Sequence, residues 1–193
     1  MKTKKIFLFF IFSIFILNAY PLDSVDLLSG YFGVGKKDLE ETEATYEGVP
    51  LFLSLNYNIT PFFEKIGIKQ RGKFYFLIEP FINTVIEPNS NIETGVDFLF
   101  KYSYPIIDYF NIYIKGGTGA SFMSLHTKEQ STQYNFVSQA GLGFSFNITK
   151  NILFNLEYRY RHLSNASIKH PNNGINSDFI LGGFTFLFND KKS

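Results

Sequence analysis

The chain has 193 residues and a formal net charge of +1, and 45% of its residues are hydrophobic and 19% aromatic. This length favours a single domain, and the nearly neutral charge argues against a polybasic surface for nucleic acid. The absence of cysteine excludes a disulfide scaffold, a thiolate zinc site and a cysteine nucleophile.

The first segment, residues 1–19, has the pattern of a secretory signal peptide. Three lysines precede an apolar stretch from Ile6 to Leu17, and Ala19 supplies a small residue for cleavage. The apolar stretch is shorter than the roughly 20 residues that a membrane-spanning helix needs. We therefore expect an exported protein whose mature domain is residues 20–193, and any membrane crossing to be made by strands.

Most of the mature chain alternates between apolar and polar residues, as strands with one apolar face do. The apolar residues occupy odd positions between Val49 and Ile59, and even positions between Ile92 and Tyr102 and between Phe136 and Ile148. With five less regular segments, the sequence predicts eight strands. They lie at about residues 25–35, 49–59, 73–86, 92–102, 110–123, 136–148, 152–164 and 178–188.

Two all-β architectures use such strands. A soluble sandwich buries the apolar faces, whereas a transmembrane barrel turns them towards lipid and fills its lumen with polar residues. Strand lengths of about 10–12 residues and aromatic strand ends favour the barrel. The last strand carries Phe184, Phe186 and Phe188 on one face, which resembles the C-terminal aromatic signal of bacterial outer-membrane barrels. The sequence therefore predicts an eight-stranded antiparallel transmembrane β-barrel in the bacterial outer membrane.

The connections predict a topology with the N-terminus in the periplasm. Residues near 36–47, 87–91, 124–134 and 165–177 then form outer loops. The first of these loops is acidic and is expected to be solvated. The inner connection 60–72 is long for a periplasmic turn, which argues against this register.

The seventh predicted strand carries a histidine and a serine on its apolar face. Along 154–164 the even positions are apolar as far as Tyr160 and continue with His162 and Ser164, whereas three odd positions are charged. Residues two apart on a strand are about 7 Å apart at Cα, so a local bend could bring imidazole to hydroxyl. An imidazole that accepts a serine proton makes a nucleophile. The alternative is an interfacial histidine that ends a strand.

The residues around this pair resemble the signature of the PagL-like lipid A deacylase family. The resemblance is detailed over about 157–178 and is compatible with the whole mature chain. It implies an outer-membrane serine esterase that hydrolyses the ester-linked 3-position acyl chain of lipid A in lipopolysaccharide. The runs that carry it are Arg161-His162-Leu163-Ser164-Asn165-Ala166 and Pro171-Asn172-Asn173-Gly174-Ile175.

The matching positions imply roles for individual residues. Ser164 corresponds to the nucleophile, His162 to the general base and Asn172 to an asparagine of the oxyanion region. Ser167 stands where the family has a small residue whose backbone N–H contributes to that region. Asn165, Tyr160 and Tyr158 are expected to contact the substrate, although ordinary lipid-facing residues would also account for the two tyrosines.

The third catalytic position departs from the family's pattern. Characterised members have a glutamate where this chain has Asn176. An amide oxygen can accept the histidine Nδ1–H and fix its tautomer, but it supplies no negative charge to the imidazolium. Asp178 shares the Asn176 face of an extended strand and is the rival source of a carboxylate. The sequence favours Asn176 by position.

The expected chemistry needs no metal and no cofactor. The chain has three histidines, of which His126 and His170 are expected in solvated outer loops rather than as metal ligands. The expected partners are lipid A and the outer membrane, without nucleic acid, and the sequence does not decide between a monomer and a homodimer. The alternative function is a non-enzymatic small barrel, such as an adhesin, sensor or structural protein, and Asn176 is the main argument for it.

Overall fold

The computed structural model describes residues 20–33, 39 and 44–188. The eight strands found there form a closed antiparallel barrel, in which consecutive strands pair and the last pairs with the first. The predicted fold class is therefore confirmed. The signal-peptide prediction for residues 1–19, and most of the acidic loop, lie outside the described residues. The strands are β1 (Leu22–Phe32), β2 (Glu47–Asn58), β3 (Lys73–Glu87), β4 (Asn91–Ile107), β5 (Phe110–Met123), β6 (Tyr134–Asn147), β7 (Ile152–Ser164) and β8 (Ile175–Leu187).

The alternating pattern of the sequence becomes an apolar outer surface. Side chains on successive residues of a strand point to opposite faces, and the apolar members of each strand are the exposed ones. Leu51 and Leu53 of β2, Phe100 of β4, and Phe144 of β6 are each at least 40% exposed. The wall of the barrel therefore presents a continuous apolar surface, as a lipid-facing barrel does.

Ion pairs between buried residues fill the middle of the lumen. The Arg159 side chain is fully buried, with Nη1 2.5 Å from Glu79 Oε1 and Nη2 2.8 Å from Glu157 Oε1. Lys115 Nζ lies 3.2 Å from Glu79 Oε2 and 2.9 Å from Glu157 Oε2. Each of these four buried charges thus faces charges of opposite sign, which offsets the large cost of removing it from water.

One half of the lumen is lined mainly by apolar side chains around the buried ion pair of Arg161 and Glu93, although the sequence predicted polar residues along its length. We call the end at which β1 ends and β2 begins, with the connections 88–90, 124–133 and 165–174, the loop end, and the end at which β1 begins and β8 ends the terminal end. Phe179 stacks on Phe32 near the loop end, and the Arg161 guanidinium lies 4.7 Å from the Phe179 ring centroid. Loop residues close this part of the lumen, so burial there favours apolar side chains. Its other members include Leu39, Tyr46, Phe52, Leu163 and Ile175, all without solvent exposure.

The long connection at the terminal end contains helix α1 (Thr60–Lys65). Pro61 is its second residue, where a missing N–H costs no helical hydrogen bond. A helix therefore takes up the extra length of this connection, which lies at the same end of the barrel as the start of β1 and the end of β8, as the sequence predicted. No helix in the described part of the chain is long and apolar enough to cross a bilayer.

Candidate active site

His162 and Asn176 face each other across β7 and β8 on the outer surface of the barrel. They are directly opposed in the strand register, and His162 Nδ1 lies 2.8 Å from Asn176 Oδ1. Because an amide oxygen only accepts hydrogen bonds, this contact requires the proton on Nδ1. The other ring nitrogen, Nε2, is then the one that can accept a proton.

The inward neighbours of His162 explain why its ring points outwards. Leu163, the next residue of β7, pairs with Ile175 of β8, and both are completely buried in the apolar half of the lumen. Burying two such side chains stabilises this orientation by about 2 kcal/mol each. A register slip of one residue would expose both and turn the imidazole inwards.

Ser164 lies on the same outward face, at the last residue of β7. It is opposed to Phe136 of β6, and Ser138 of β6 is opposed to His162. The Ser164 hydroxyl makes no hydrogen bond within 3.5 Å to any described residue. The structure thus brings His162 to Asn176, but no hydrogen bond joins the imidazole to the Ser164 hydroxyl.

Asp178 does not contact the imidazole. Its Oδ1 accepts a hydrogen bond from the Tyr158 hydroxyl, and its register partner on β7 is Tyr160. Asp178 therefore lies one pair of outward-facing residues further from the loop end than Asn176. Of the two candidates for the third position, Asn176 is the one whose side chain contacts His162.

The loop after β7 is held together by Asn165 and Asn172. The Asn172 Oδ1 accepts a hydrogen bond of 2.7 Å from the Asn165 backbone N–H. The Asn165 side chain is 1% exposed, and its Nδ2 donates to the Lys169 carbonyl at 2.8 Å and to Ser131 Oγ at 3.2 Å. The predicted substrate contact, Asn165, is thus turned into the loop, because its amide replaces backbone hydrogen bonds that the loop lacks.

The next two residues have unusual backbone conformations. Ala166 has φ 53° and Ser167 has φ 60°, a left-handed conformation that non-glycine residues rarely adopt. No described backbone carbonyl accepts a hydrogen bond from either N–H. The Asn172 Nδ2 lies 3.5 Å from Ser167 Oγ, so the Asn172 amide and these N–H groups belong to one small polar cluster beside the end of β7.

Gly174 contacts the imidazole from the loop side, a contact that the sequence did not reveal. Its φ is +80°, and a Cβ built on it would lie 2.5 Å from His162 Cε1 and 3.2 Å from Nε2. Only glycine avoids both the backbone strain and the clash. Gly174 stands in the run that carries the family resemblance, but its spacing to His162 gives no sign that the two touch.

The loop between β5 and β6 also supports the site, which no motif in the sequence indicated. The Ser131 N–H donates to the Pro171 carbonyl at 3.0 Å, and the Asn173 N–H donates to the Glu129 carbonyl at 3.0 Å. Gln130 and Asn172 form an isolated antiparallel bridge. Hydrogen bonds therefore join the two loops into one unit at the loop end.

The outer surface around the site is mainly apolar. Tyr158 and Tyr160 of β7 are 48% and 44% exposed. On the other side, a shallow depression of about 390 Å³ includes Val96, Ala120 and Tyr134 in its lining. Among the described residues, no three His, Asp or Glu side chains are grouped so as to hold a metal ion. The site thus joins a polar edge to an apolar wall.

Comparisons with known proteins identify a family and two similar folds. A family model described as lipid A 3-O-deacylase (PagL) matches residues 25–185. The crystal structure of the outer membrane enzyme PagL is similar in fold, with 19% sequence identity, a TM-score of 0.57, and coverage of 86% of this chain and 99% of that one. Neisserial surface protein A (NspA) is similar in fold at 12% identity, with a TM-score of 0.62 and coverage of 87% and 98%. No curated protein sequence matches. Because the family model spans most of the sequence, the chain belongs to the lipid A 3-O-deacylase (PagL) family.

Proposed function

We propose that this chain is an outer-membrane serine esterase that removes the 3-position ester-linked acyl chain of lipid A. The observation that carries the proposal is the outward-facing His162, whose Nδ1 is bonded to Asn176 while Nε2 stays available on the face that bears Ser164. Family membership supports the same substrate class. In this proposal residues 1–19 direct export and are removed.

The position of the site on the barrel fits a lipid substrate. His162 and Ser164 lie near the end of a strand, where an apolar wall gives way to polar loops. A lipid of the outer leaflet has its ester groups at this boundary and its acyl chains beside the wall. The substrate can therefore arrive by lateral diffusion, with its acyl chain along Tyr158 and Tyr160 and its sugar against the loops.

The chemistry follows the pattern of serine hydrolases. The Ser164 hydroxyl rotates to the imidazole when substrate binds, since catalytic hydrogen bonds often shorten only in the substrate complex. Its oxygen attacks the ester carbonyl carbon as the proton passes to His162 Nε2. The bond from that carbon to the sugar oxygen breaks, and the imidazolium gives its proton to that oxygen, which leaves as the sugar hydroxyl. Water then hydrolyses the acyl-serine and releases the fatty acid.

The polar cluster after β7 is suited to hold the oxyanion. Asn172 Oδ1 is occupied by the Asn165 N–H, so Nδ2, which lies 3.5 Å from Ser167 Oγ, is the atom of this amide that can donate to an oxyanion. The N–H groups of Ala166 and Ser167 make no backbone hydrogen bond in the described structure. One donor to an oxyanion contributes about 10²–10³ in kcat. In this proposal Asn165 positions Asn172 rather than touching the substrate.

Asn176 orients the imidazole in this proposal, and Asp178 does not. Asn176 fixes the tautomer in which Nε2 is the base. Asp178 is engaged by Tyr158 on the same face. Since an amide carries no charge, the imidazolium is stabilised less than it would be beside a carboxylate, so we expect a slower enzyme rather than an inactive one.

Fatty acid release from lipopolysaccharide tests the proposal. Folded protein in detergent is compared with Ser164→Ala and with Ser138→Ala, a control that removes the outward-facing hydroxyl directly opposite His162 on β6. We expect Ser164→Ala to lower the rate at least about a thousandfold, and Ser138→Ala to leave it within a few fold. Equal and negligible release by all three proteins would favour the non-enzymatic barrel, and loss only in Ser138→Ala would move the nucleophile to that residue.

A further inference from the structure

The α1 segment, which we define as residues 60–73, packs on the outer wall of the barrel at the terminal end. The Ile59 N–H donates to the Phe74 carbonyl at 2.9 Å, and Thr60 Oγ1 accepts from the Phe74 N–H at 2.9 Å. The ring centroids of Phe63 and Phe74 are 4.2 Å apart. The segment is therefore fixed against the outward face of β3 instead of hanging below the barrel.

Apolar side chains of this segment remain exposed next to the lipid-facing wall. Phe62 is 40% exposed, Ile66 58% and Ile68 45%. The residues beneath the helix, Ile59 and Phe76, are buried, so the segment continues the apolar wall outwards. An amphipathic segment in such a position lies in the interface of a bilayer, with its apolar side among the acyl chains.

The polar side of the segment is strongly basic. Lys65, Lys69, Arg71 and Lys73 are all exposed, whereas Glu64 is the one acidic residue between positions 60 and 73. No described carboxylate forms an ion pair with any of the four cations. Four exposed cations beside exposed apolar residues are complementary to a surface of anionic headgroups.

We propose that the α1 segment binds anionic glycerophospholipid on the membrane leaflet at the terminal end. The inference rests on the proposed placement in a membrane, but it does not depend on the esterase. The exposed phenylalanine and isoleucines enter the acyl region, and the lysines and arginine bind the phosphate groups of the headgroups at the surface of the bilayer. Together they hold one side of the barrel at a defined depth, at the end opposite to the candidate active site.

A tryptophan reporter tests this interaction, because the chain contains no tryptophan of its own. Phe62→Trp places one in the segment, and Ile148→Trp places one in the exposed turn between β6 and β7 at the same end. Each full-length variant is inserted into equimolar phosphatidylglycerol and phosphatidylethanolamine vesicles, in which either lipid carries brominated chains. The ratio of quenching by the two brominated lipids reports local enrichment of the anionic one.

We expect a higher ratio for Phe62→Trp than for Ile148→Trp. Adding Lys65→Ala, Lys69→Ala and Arg71→Ala should lower the Phe62→Trp ratio to that of Ile148→Trp, since each cation near an anionic surface strengthens binding about fivefold. A Lys128→Ala, Lys150→Ala and Lys169→Ala triple variant removes three exposed cations elsewhere and should keep the high ratio.

The results separate this inference from the proposed membrane placement. Equal ratios for the two reporters, or a Phe62→Trp signal that neither lipid quenches while Ile148→Trp is quenched, would overturn the lipid-binding inference alone. Failure of both reporters to be quenched would overturn the membrane placement, and the inference with it.

Discussion

Replacing Gly174 with alanine should disable the site while leaving the barrel folded. The new Cβ would lie 2.5 Å from His162 Cε1, whereas ordinary contact begins at 3.4 Å, so the ring has to retreat by about 0.9 Å. A residue with φ +80° also costs on the order of 1–3 kcal/mol when it is not glycine. A displacement of about 1 Å at a catalytic group lowers rates roughly 10²-fold, and we expect a loss of that size in lipid A deacylation.

Gly182→Ala is the matched control for this variant. Gly182 lies in β8, and the nearest heavy atom to its added Cβ would be 3.8 Å away. Deacylation of lipopolysaccharide is measured for both variants, and the shift in gel mobility on heating reports whether each barrel is folded. The reasoning is refuted if folded Gly174→Ala retains the wild-type rate, or if Gly182→Ala loses as much activity.

Three further predictions follow from the contacts. Asn176→Asp should raise kcat about tenfold or more, because a carboxylate would accept the same Nδ1–H and add a charge; an unchanged or lower kcat would contradict the orienting role. Asp178→Asn should change kcat much less than Asn176→Ala does, since Asp178 contacts Tyr158 and not His162, and the reverse order would restore Asp178 as the third member. Arg159→Ala should lower the free energy of unfolding in lipid vesicles by about 3–5 kcal/mol, because Glu79 and Glu157 each lose an ion-pair partner. Urea titration measures this free energy, with Lys169→Ala, which replaces an exposed lysine, as the control. Equal unfolding of the two variants would contradict the reasoning.

The alternation of apolar and polar residues along each strand made the barrel predictable from the sequence. Period-two alternation decides which residues face out, and one face of every strand must meet lipid, so the register has little freedom. The outward positions of His162 and Ser164 followed from that rule, because they continue the even-numbered face that includes Tyr158 and Tyr160. Their proposed catalytic roles came from the family resemblance.

The residue types that line the lumen, and the presence of helix α1, could not be predicted from the alternation. Alternation separates inside from outside, but it does not tell whether an inward residue meets an ion pair or an apolar loop. Phe32 and Phe179 interrupt the polar face because loops cover that end of the lumen. Helix α1 spans only six residues, too few for a clear 3.6-residue period.

The loop contacts of the site could not be predicted because they depend on tertiary structure. From the sequence, Asn165 is a polar residue free to bind substrate, but in the structure its Nδ2 donates hydrogen bonds to Lys169 and Ser131. From the sequence, Gly174 is an ordinary turn glycine, and it contacts His162 only because the loop folds back over β7. Such contacts depend on how the loops fold back on themselves and on β7, which the sequence pattern of a strand or turn does not record.

Labelling with a fluorophosphonate, which reacts covalently with an activated serine hydroxyl, tests the central claim most directly. Folded wild-type protein, Ser164→Ala and His162→Ala are treated alike, and the modified peptide is located by mass spectrometry. Labelling of wild-type protein at Ser164, with none in either variant, is the predicted result. Modification of another serine, or equal modification of Ser164 when His162 is alanine, would contradict the account.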